Sequence, residues 1–302
     1  NYMKNNKDLL DLEETFEKIN INLGDKVLVS SDILGILVSF KKNNKKFDAN
    51  ATIDSLIKKV GESGTLMFPT YNWDFCNGKD FNYNQTKSST GSLSNFALSR
   101  KDFKRTKNPI YSYVVTGKEK DYICSLEHHS CFGLDSPFGY LIKNNGKNLF
   151  INMDYKDGLA LVHVAEETVG VDYRYFKEFS GYCITKEKKF KSKYKMYVRD
   201  LNLNVSTTVI DKKFDEVLIK NKAYEKQTIN GISFTLLDIR KTYEALIYEF
   251  SSKLFPVSSG DKILNSFGEY FFTRFGSKLH ISLYFPSLFV PIKISLILFI
   301  LD

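Results

Sequence analysis

Residues 24–31 read Gly-Asp-Lys-Val-Leu-Val-Ser-Ser, and residues 64–70 read Gly-Thr-Leu-Met-Phe-Pro-Thr. In each stretch a turn residue opens onto a short apolar run, and the run ends in small polar residues or proline. Such runs suit buried strands that open into loops at their carboxyl ends. Gly24-Asp25 makes the first turn, Gly64 sets the second, and Pro69 stops the second strand. Between them, residues 53–60 read as a helix punctuated by Gly61 and Gly64. The order strand, loop, helix, strand belongs to an α/β layered fold.

Working outward, residues 9–19 (LLDLEETFEKI) carry apolar side chains at helical spacing. Residues 72–89 are polar, aromatic and Asn-rich, and read as a loop. Residues 91–100 follow a Ser/Thr cluster and read as a helix. Strands are expected at 111–116 (YSYVVT) and 147–152 (KNLFIN), and a helix at 159–169 (LALVHVAEETV), just after Asp157-Gly158. From about residue 178 the composition shifts. Residues 186–195 hold six lysines, with strand-like pieces at 196–203 and 206–210, then a helix at 240–254. These readings divide the chain into an α/β part at 1–178, a β-containing subdomain with its closing helix at 179–260, and an apolar tail at 261–302. In that tail residues 294–301 form an apolar run of eight, too short to span a bilayer, and Pro286 and Pro291 interrupt any longer helix. A membrane-peripheral tail, a C-terminal strand and read-through beyond the natural end of the gene all remain open for it.

The 302 residues are 43% hydrophobic and 26% charged, enough to bury a sizeable core. The net charge is +8. An anionic partner and an AT-rich codon bias both account for it, and no zinc-finger, RNP or helix-turn-helix signature accompanies the charge, which argues against nucleic acid. Cys76, Cys124, Cys131 and Cys183 include no Cys-x-x-Cys pair, so free thiols in a reducing cytoplasm are expected. No apolar stretch follows a basic start, so no signal peptide is expected, and Met3 is a candidate initiator.

Four constellations carry chemistry, one of them the stretch from Gly61 to Thr70, which brings a strand end and a loop towards the same edge. His163 and Glu166 stand three apart, on one face of a helix, where a carboxylate can fix the imidazole's tautomer while the other ring nitrogen faces a substrate. The same spacing occurs on many solvated helices. The zinc pattern His-Glu-x-x-His is absent, and His128, His129 and His280 do not complete it, so no metal is expected. Ser88 to Ser94 form a hydroxyl-rich turn opening a helix, where free N–H groups suit a pyrophosphate or pantetheine amides, or simply a capped helix start. Ser30, Ser31 and Asp32 close the first strand, at the edge where α/β sheets bind ligands.

Taken in order, these pieces resemble the aminoglycoside 3-N-acetyltransferase (antibiotic N-acetyltransferase) family over residues 24–179. The series is residues 24–31 and 64–70, Ser89-Thr-Gly-Ser-Leu93, Arg105-x-x-Asn-Pro109-x-x-Ser112, Phe132-Gly-x-x-Ser136-Pro137, Gly146-Lys147, His163-x-x-Glu166, and Tyr173-Arg174 with Lys177. The resemblance implies a three-layer α/β/α fold with a mixed central sheet and a smaller β-containing subdomain. It implies acetyl-CoA as donor, an amine of an aminoglycoside as acceptor, and a role in antibiotic resistance. By carry-over His163 is the base and Glu166 its support, while Ser30, Ser31, Ser89, Thr90, Gly91 and Ser92 face the CoA arm. The family usually has His where Ser30 stands, a second Ser where Asp32 stands, and His-Pro where Asn108-Pro109 stands. An acidic pocket suits a polycation, and Asp74, Asp80, Asp135, Asp154, Asp157 and Asp172 are the nearby acids; Tyr71, Asp74 and Asp154 are taken as the acceptor-binding set. The lysines of 186–195 favour a nucleotide-linked amino sugar of surface polysaccharide synthesis if they flank the pocket, and count for nothing if they lie on a solvated face. A non-catalytic CoA-binding or membrane-peripheral protein is the alternative outside enzymes.

Overall fold

The computed structural model describes residues 12–42, 44, 46–203, 210, 212–254, 269–275, 278–284 and 298–299. The chain divides into two compact units, 1–247 and 248–302. In the first unit, α1 (Leu12–Glu17) leads into β1 (Lys26–Ser31), α2 (Leu34–Lys42), α3 (Ala49–Val60) and β2 (Thr65–Pro69). Then come β3 (Phe81–Asn82), α4 (Ser92–Ser99), β4 (Lys104–Arg105), β5 (Tyr113–Gly117), α5 (Lys120–Ser125), α6 (Pro137–Lys143) and β6 (Lys147–Ile151). Helix α7 (Leu161–Val169) precedes the hairpin of β7 (Arg174–Ile184) and β8 (Lys189–Arg199); α8 (Lys212–Lys220), β9 (Tyr224–Ile229) and β10 (Ile232–Asp238) follow, and α9 (Ile239–Leu254) begins in the first unit and runs past its end at residue 247. In the second unit β11 (Glu269–Phe275), β12 (Lys278–Tyr284) and β13 (Leu298–Phe299) form a small antiparallel sheet.

A seven-stranded mixed sheet in the order β4-β5-β2-β1-β6-β10-β9 is the centre of the first unit. Strand β1 runs parallel to β2 on one side and β6 on the other, so all three carboxyl ends open on one edge. The runs quoted for 24–31 and 64–70 are therefore neighbouring central strands. Their side chains alternate between two buried faces. Val27, Val29, Leu66 and Phe68 pack with Ile53 and Leu56 of α3 and Leu93 and Ala97 of α4. Leu28, Met67 and Phe150 are equally buried and point the other way. That second face meets α6, where Phe138 lies edge-on to Tyr113 at 5.6 Å. Tyr243 of α9 in turn hydrogen-bonds Thr168 of α7 at 3.1 Å. Helices on both faces of a mixed sheet make the three-layer α/β/α fold, and β3-β7-β8 is the smaller sheet beside it.

The helices and strands expected from the patterns around 9–19, 53–60, 91–100, 111–116, 147–152, 159–169 and 240–254 are present, each with shifted ends. Helix α3 starts earlier than its apolar pattern because Asp48 caps it, accepting the N–H groups of Asn50 and Ala51. Gly64 is needed for proximity: a Cβ there would lie 2.4 Å from the Val60 carbonyl oxygen. Helices α2, α5, α6 and α8, strand β7, the β9–β10 hairpin and the lysine-rich half of β8 escaped the patterns. The β9–β10 hairpin turns at Asn230-Gly231, both at positive φ (52° and 79°), as a tight primed turn requires. The lysine run is strand β8, in which lysine alternates with Phe190, Ser192, Tyr194 and Met196. The loop at 72–89 holds a 3-10 turn (Asp74–Asn77) and β3. Residues 206–209 of the strand-like piece at 206–210, the start of the chain including Met3, Pro286, Pro291 and most of the apolar run at 294–301 lie outside the described residues. Among the described residues no helix is long and apolar enough to cross a membrane.

Candidate active site

A cleft of about 490 Å³ opens at the carboxyl edge of β1, β2 and β6. It lies where the chain leaves β1 for one neighbour and reaches the other only later, the position at which open α/β sheets bind ligands. Ser30 and Ser31 close β1, Pro69 closes β2 and Tyr71 follows it, and Lys156 to Ala160, Val162 and His163 follow β6; all line the cleft. Thr90 and Gly91 line it from the turn before α4. A smaller hollow next to it shares Ser31 and Gly91 and adds Asp32 and Ser92. The structure thus brings Ser30, Ser31, Tyr71, Thr90, Gly91 and His163 together. Ser89, Asp74 and Asp154 do not line the cleft. Asp74 pairs with Lys79 at 3.2 Å, and Asp154 caps the 3-10 turn at Tyr155–Asp157 by accepting the Lys156 N–H.

Helix α7 carries His163 into this space. Its last turn ends at Gly170 in the left-handed region (φ 71°, ψ 49°), with the Gly170 and Val171 N–H groups closing on the Glu166 carbonyl. One turn holds the pair: His163 Nδ1 is 2.7 Å from Glu166 Oε2, which leaves Nε2 as the ring nitrogen not engaged by the carboxylate. Phe132 stacks at a tilt on the imidazole, centroids 5.1 Å apart. Glu166 is only 2% exposed. Two further groups from the segment after α7 meet it: Tyr173 donates its hydroxyl to Oε1 at 2.9 Å, and Arg174 Nε lies 2.8 Å from Oε2. That Arg174 contact is an ion pair whose N–H points off the hydrogen-bond line. Burial, the largest single influence, pushes the Glu166 carboxyl up. His163, Arg174 and Tyr173 together outweigh it and hold the group below the usual carboxylate range. The neighbouring Glu167 has no such partners; burial raises it, and Ser130 donates to it at 2.6 Å.

The turn before α4 is tied down by its own hydroxyls. Ser88 and Thr90 bond each other and the Pro69 carbonyl. The Ser89 and Thr90 N–H groups are given to Tyr71 O and Ser88 Oγ. Gly91 sits at φ 70°, where a side chain is strained, and a Cβ there would come 3.4 Å from Ser31 O. The next motif braces the cleft from behind. Arg105 donates to Thr70 O at 2.9 Å and to Ser112 Oγ at 3.0 Å. Asn108 Oδ1 accepts the N–H groups of Ile110 and Tyr111. Sequence reasoning missed the cleft residues Trp73 and Tyr111 and the closing contact of Arg174, which only the tertiary path supplies. All four cysteines are free thiols, and burial pushes Cys76 to about 11 and Cys124 to about 12. Among the described residues no group of three or more His, Cys, Asp or Glu could hold a metal.

A family model described as aminoglycoside 3-N-acetyltransferase matches residues 39–250, about seven-tenths of the chain and all of the α7 constellation. The chain belongs to this family. A curated relative is the SPbeta prophage-derived aminoglycoside N(3')-acetyltransferase-like protein YokD of Bacillus subtilis (strain 168). It is 26% identical over 179 residues, and the match spans 51% of this chain and 63% of that protein, short of two thirds of its length. The crystal structure of YokD superposes with a TM-score of 0.65 at 19% identity, covering 80% of this chain and 92% of the other. A structure described as AAC-IIIb binary with CoASH gives 0.67 at 16% identity, covering 82% and 97%. These two likenesses establish the fold of the family member described above.

Proposed function

We propose that this chain is an acetyl-CoA-dependent N-acetyltransferase that acylates an amino group of an aminoglycoside, at the 3-N position by family resemblance. The observation that carries the reading is His163, seated in the cleft with Nδ1 locked to a buried, ionised Glu166. An ammonium ion cannot attack a thioester, so the reaction needs a base placed at the amine. His163 Nε2 takes the amine proton, and the amine nitrogen attacks the thioester carbonyl carbon. Glu166 stabilises the imidazolium that results. The C–S bond then breaks, and the CoA sulfur leaves with the proton held by His163.

The cleft suits the donor. Hydroxyls of Ser30 and Ser31 stand at one end and an apolar wall behind them, which matches the alternating amides and methylenes of a pantetheine arm. With the Ser89 and Thr90 N–H groups already bonded, Gly91 and the first turn of α4 supply the N–H groups that can meet the developing oxyanion. The opening N–H groups of a helix have no partner within it. The four cysteines, held as thiols by burial, favour direct transfer in a ternary complex. Family membership and the CoA complex of a structural neighbour support the donor assignment. The lysines of β8 lie on a solvated face and give the nucleotide-linked amino sugar no support. The test is CoA thiol release with a panel of aminoglycosides. Turnover is expected for the wild type and loss of it for His163→Ala with an unchanged circular dichroism spectrum. Near-normal turnover in that variant would remove His163 from the role of base.

A further inference from the structure

Neighbouring carboxylates on α7 reach the same imidazole by different routes. Glu166 takes His163 Nδ1 directly. Glu167, half-buried, accepts the Ser130 hydroxyl at 2.6 Å. Ser130 Oγ in turn accepts the Phe132 N–H at 3.3 Å. The Phe132 ring then lies against the imidazole, centroids 5.1 Å apart and planes at 52°. Successive helical positions point about 100° apart, so the helix can hold its own histidine at Nδ1 with one carboxylate and brace it from outside the helix with the next.

The loop that carries Phe132 shows what the second route supplies. Lys195 of β8 gives its N–H to His129 O at 2.7 Å and accepts the Cys131 N–H at 2.9 Å. His128 Nδ1 donates to Ser130 O at 2.8 Å. These bonds fix the backbone as far as Cys131. Phe132 comes next, and a side chain, that of Ser130, holds its N–H. A serine hydroxyl turns to suit its partner, and here the partner is Glu167. Burial pushes the Glu167 carboxyl up and the Ser130 bond opposes the rise, as it must when the carboxylate is the acceptor. Phe132 itself is 1% exposed, packed between His163 and Tyr111, whose ring lies 4.6 Å away. One hydrogen bond at Nδ1 leaves an imidazole able to tilt about that bond; a buried ring packed against it removes the freedom. Small misplacements of a reacting group are costly in rate.

We propose that Glu167 is a positioning residue for the base: through Ser130 it seats Phe132 against His163 and so fixes the imidazole plane that Glu166 alone leaves free to tilt. This deepens the acetyl-transfer reading and rests on it for the role of His163. The ring protons of His163 report on the seat without turnover, because they sense the ring current of Phe132; their NMR signals are identified by their loss in His163→Ala. In Glu167→Ala and in Ser130→Ala these signals are expected to move in the direction seen in Phe132→Leu. Glu167→Ala is expected to lower kcat about tenfold with both KM values within about twofold of wild type. Glu167→Gln, whose amide oxygen still accepts the Ser130 hydroxyl, is expected to restore kcat to within about twofold of wild type. In a Phe132→Leu background, Glu167→Ala is expected to cost less than about twofold more, since both changes remove one support. His163 signals that stay in place in Glu167→Ala and Ser130→Ala would overturn the proposal. So would a full tenfold loss from Glu167→Ala in the Phe132→Leu background, which would mean that the carboxylate acts by another path. If Glu167→Ala does not fold, Ser130→Ala, which deletes a single hydroxyl, decides by the same signals. If the wild type releases no thiol with any amine, acetyl transfer fails, and the His163 signals still decide whether the seat exists.

Discussion

Helix α7 and strand β8 both carry titratable side chains at a regular spacing, three residues apart in the helix and two in the strand. In α7 the spacing brings His163 and Glu166 together on one face, and the segment that follows folds Tyr173 and Arg174 over the carboxylate. In β8 it sets Lys189, Lys191, Lys193 and Lys195 in an exposed row. Two of these lysines find carboxylates, Lys189 with Asp80 and Lys193 with Glu178, and both pairs stay in water. Attraction between exposed charges is screened and costs side-chain freedom, so such pairs contribute little. The Glu166 group is desolvated, and there every partner counts. Spacing gathers charges; burial decides whether they act on one another.

The largest effect expected on this contrast comes from the helix. His163→Ala should lower kcat by about 10³-fold, in the usual range for removing a general base, with the fold retained and a stability cost of about 1.5 kcal/mol for the partner lost to buried Glu166. Glu166→Gln should cost about 10²-fold in kcat by freeing the imidazole, and about 3 kcal/mol of stability because Arg174 loses its buried counter-charge. Its pH dependence sharpens the point. The native carboxyl titrates below its unfolded value of about 4.3, so its stabilisation is complete above that value and disappears as pH falls through the lower native one. The stability gap between wild type and Glu166→Gln should therefore narrow in urea melts below about pH 4. A constant gap down to acid would mean the carboxylate is not held by its partners. Tyr173→Phe removes one hydrogen bond to that carboxylate and should cost about 1.5 kcal/mol with only a several-fold drop in kcat. The smallest effect belongs to the strand. Lys191→Gln with Lys193→Gln should leave kcat and both KM values unchanged, and a change in acceptor KM would show that the lysine row reaches the substrate after all.

Legibility in the sequence followed the range of each interaction. The strands on either side of β1 and the His163–Glu166 pair are local patterns, readable because apolar runs and a three-residue helical spacing need no distant partner. The hydroxyl-rich turn at Ser88 to Ser94 was legible as a helix start; that its Ser89 and Thr90 N–H groups are consumed within the fold was not. Asp74 and Asp154 were named as acceptor ligands for their nearness to the matched segments, and neither is among the residues that line the cleft. Trp73 carried no signal beyond being an aromatic in a polar loop. Asn230-Gly231 was a local signal for a hairpin and went unread among the charged residues around it.

The sequence by itself determined the α/β order, the two central strands and the facing of His163 and Glu166, because each depends on a repeat within a few residues. Only the tertiary structure decided what surrounds that pair. Placing β1 between β2 and β6 gathers three loops at one sheet edge, and the path of those loops sets Trp73 and Tyr111 in the same cleft as His163 while Arg174 closes over Glu166. Contacts between residues far apart in sequence follow from strand order and loop course, and no local pattern records them.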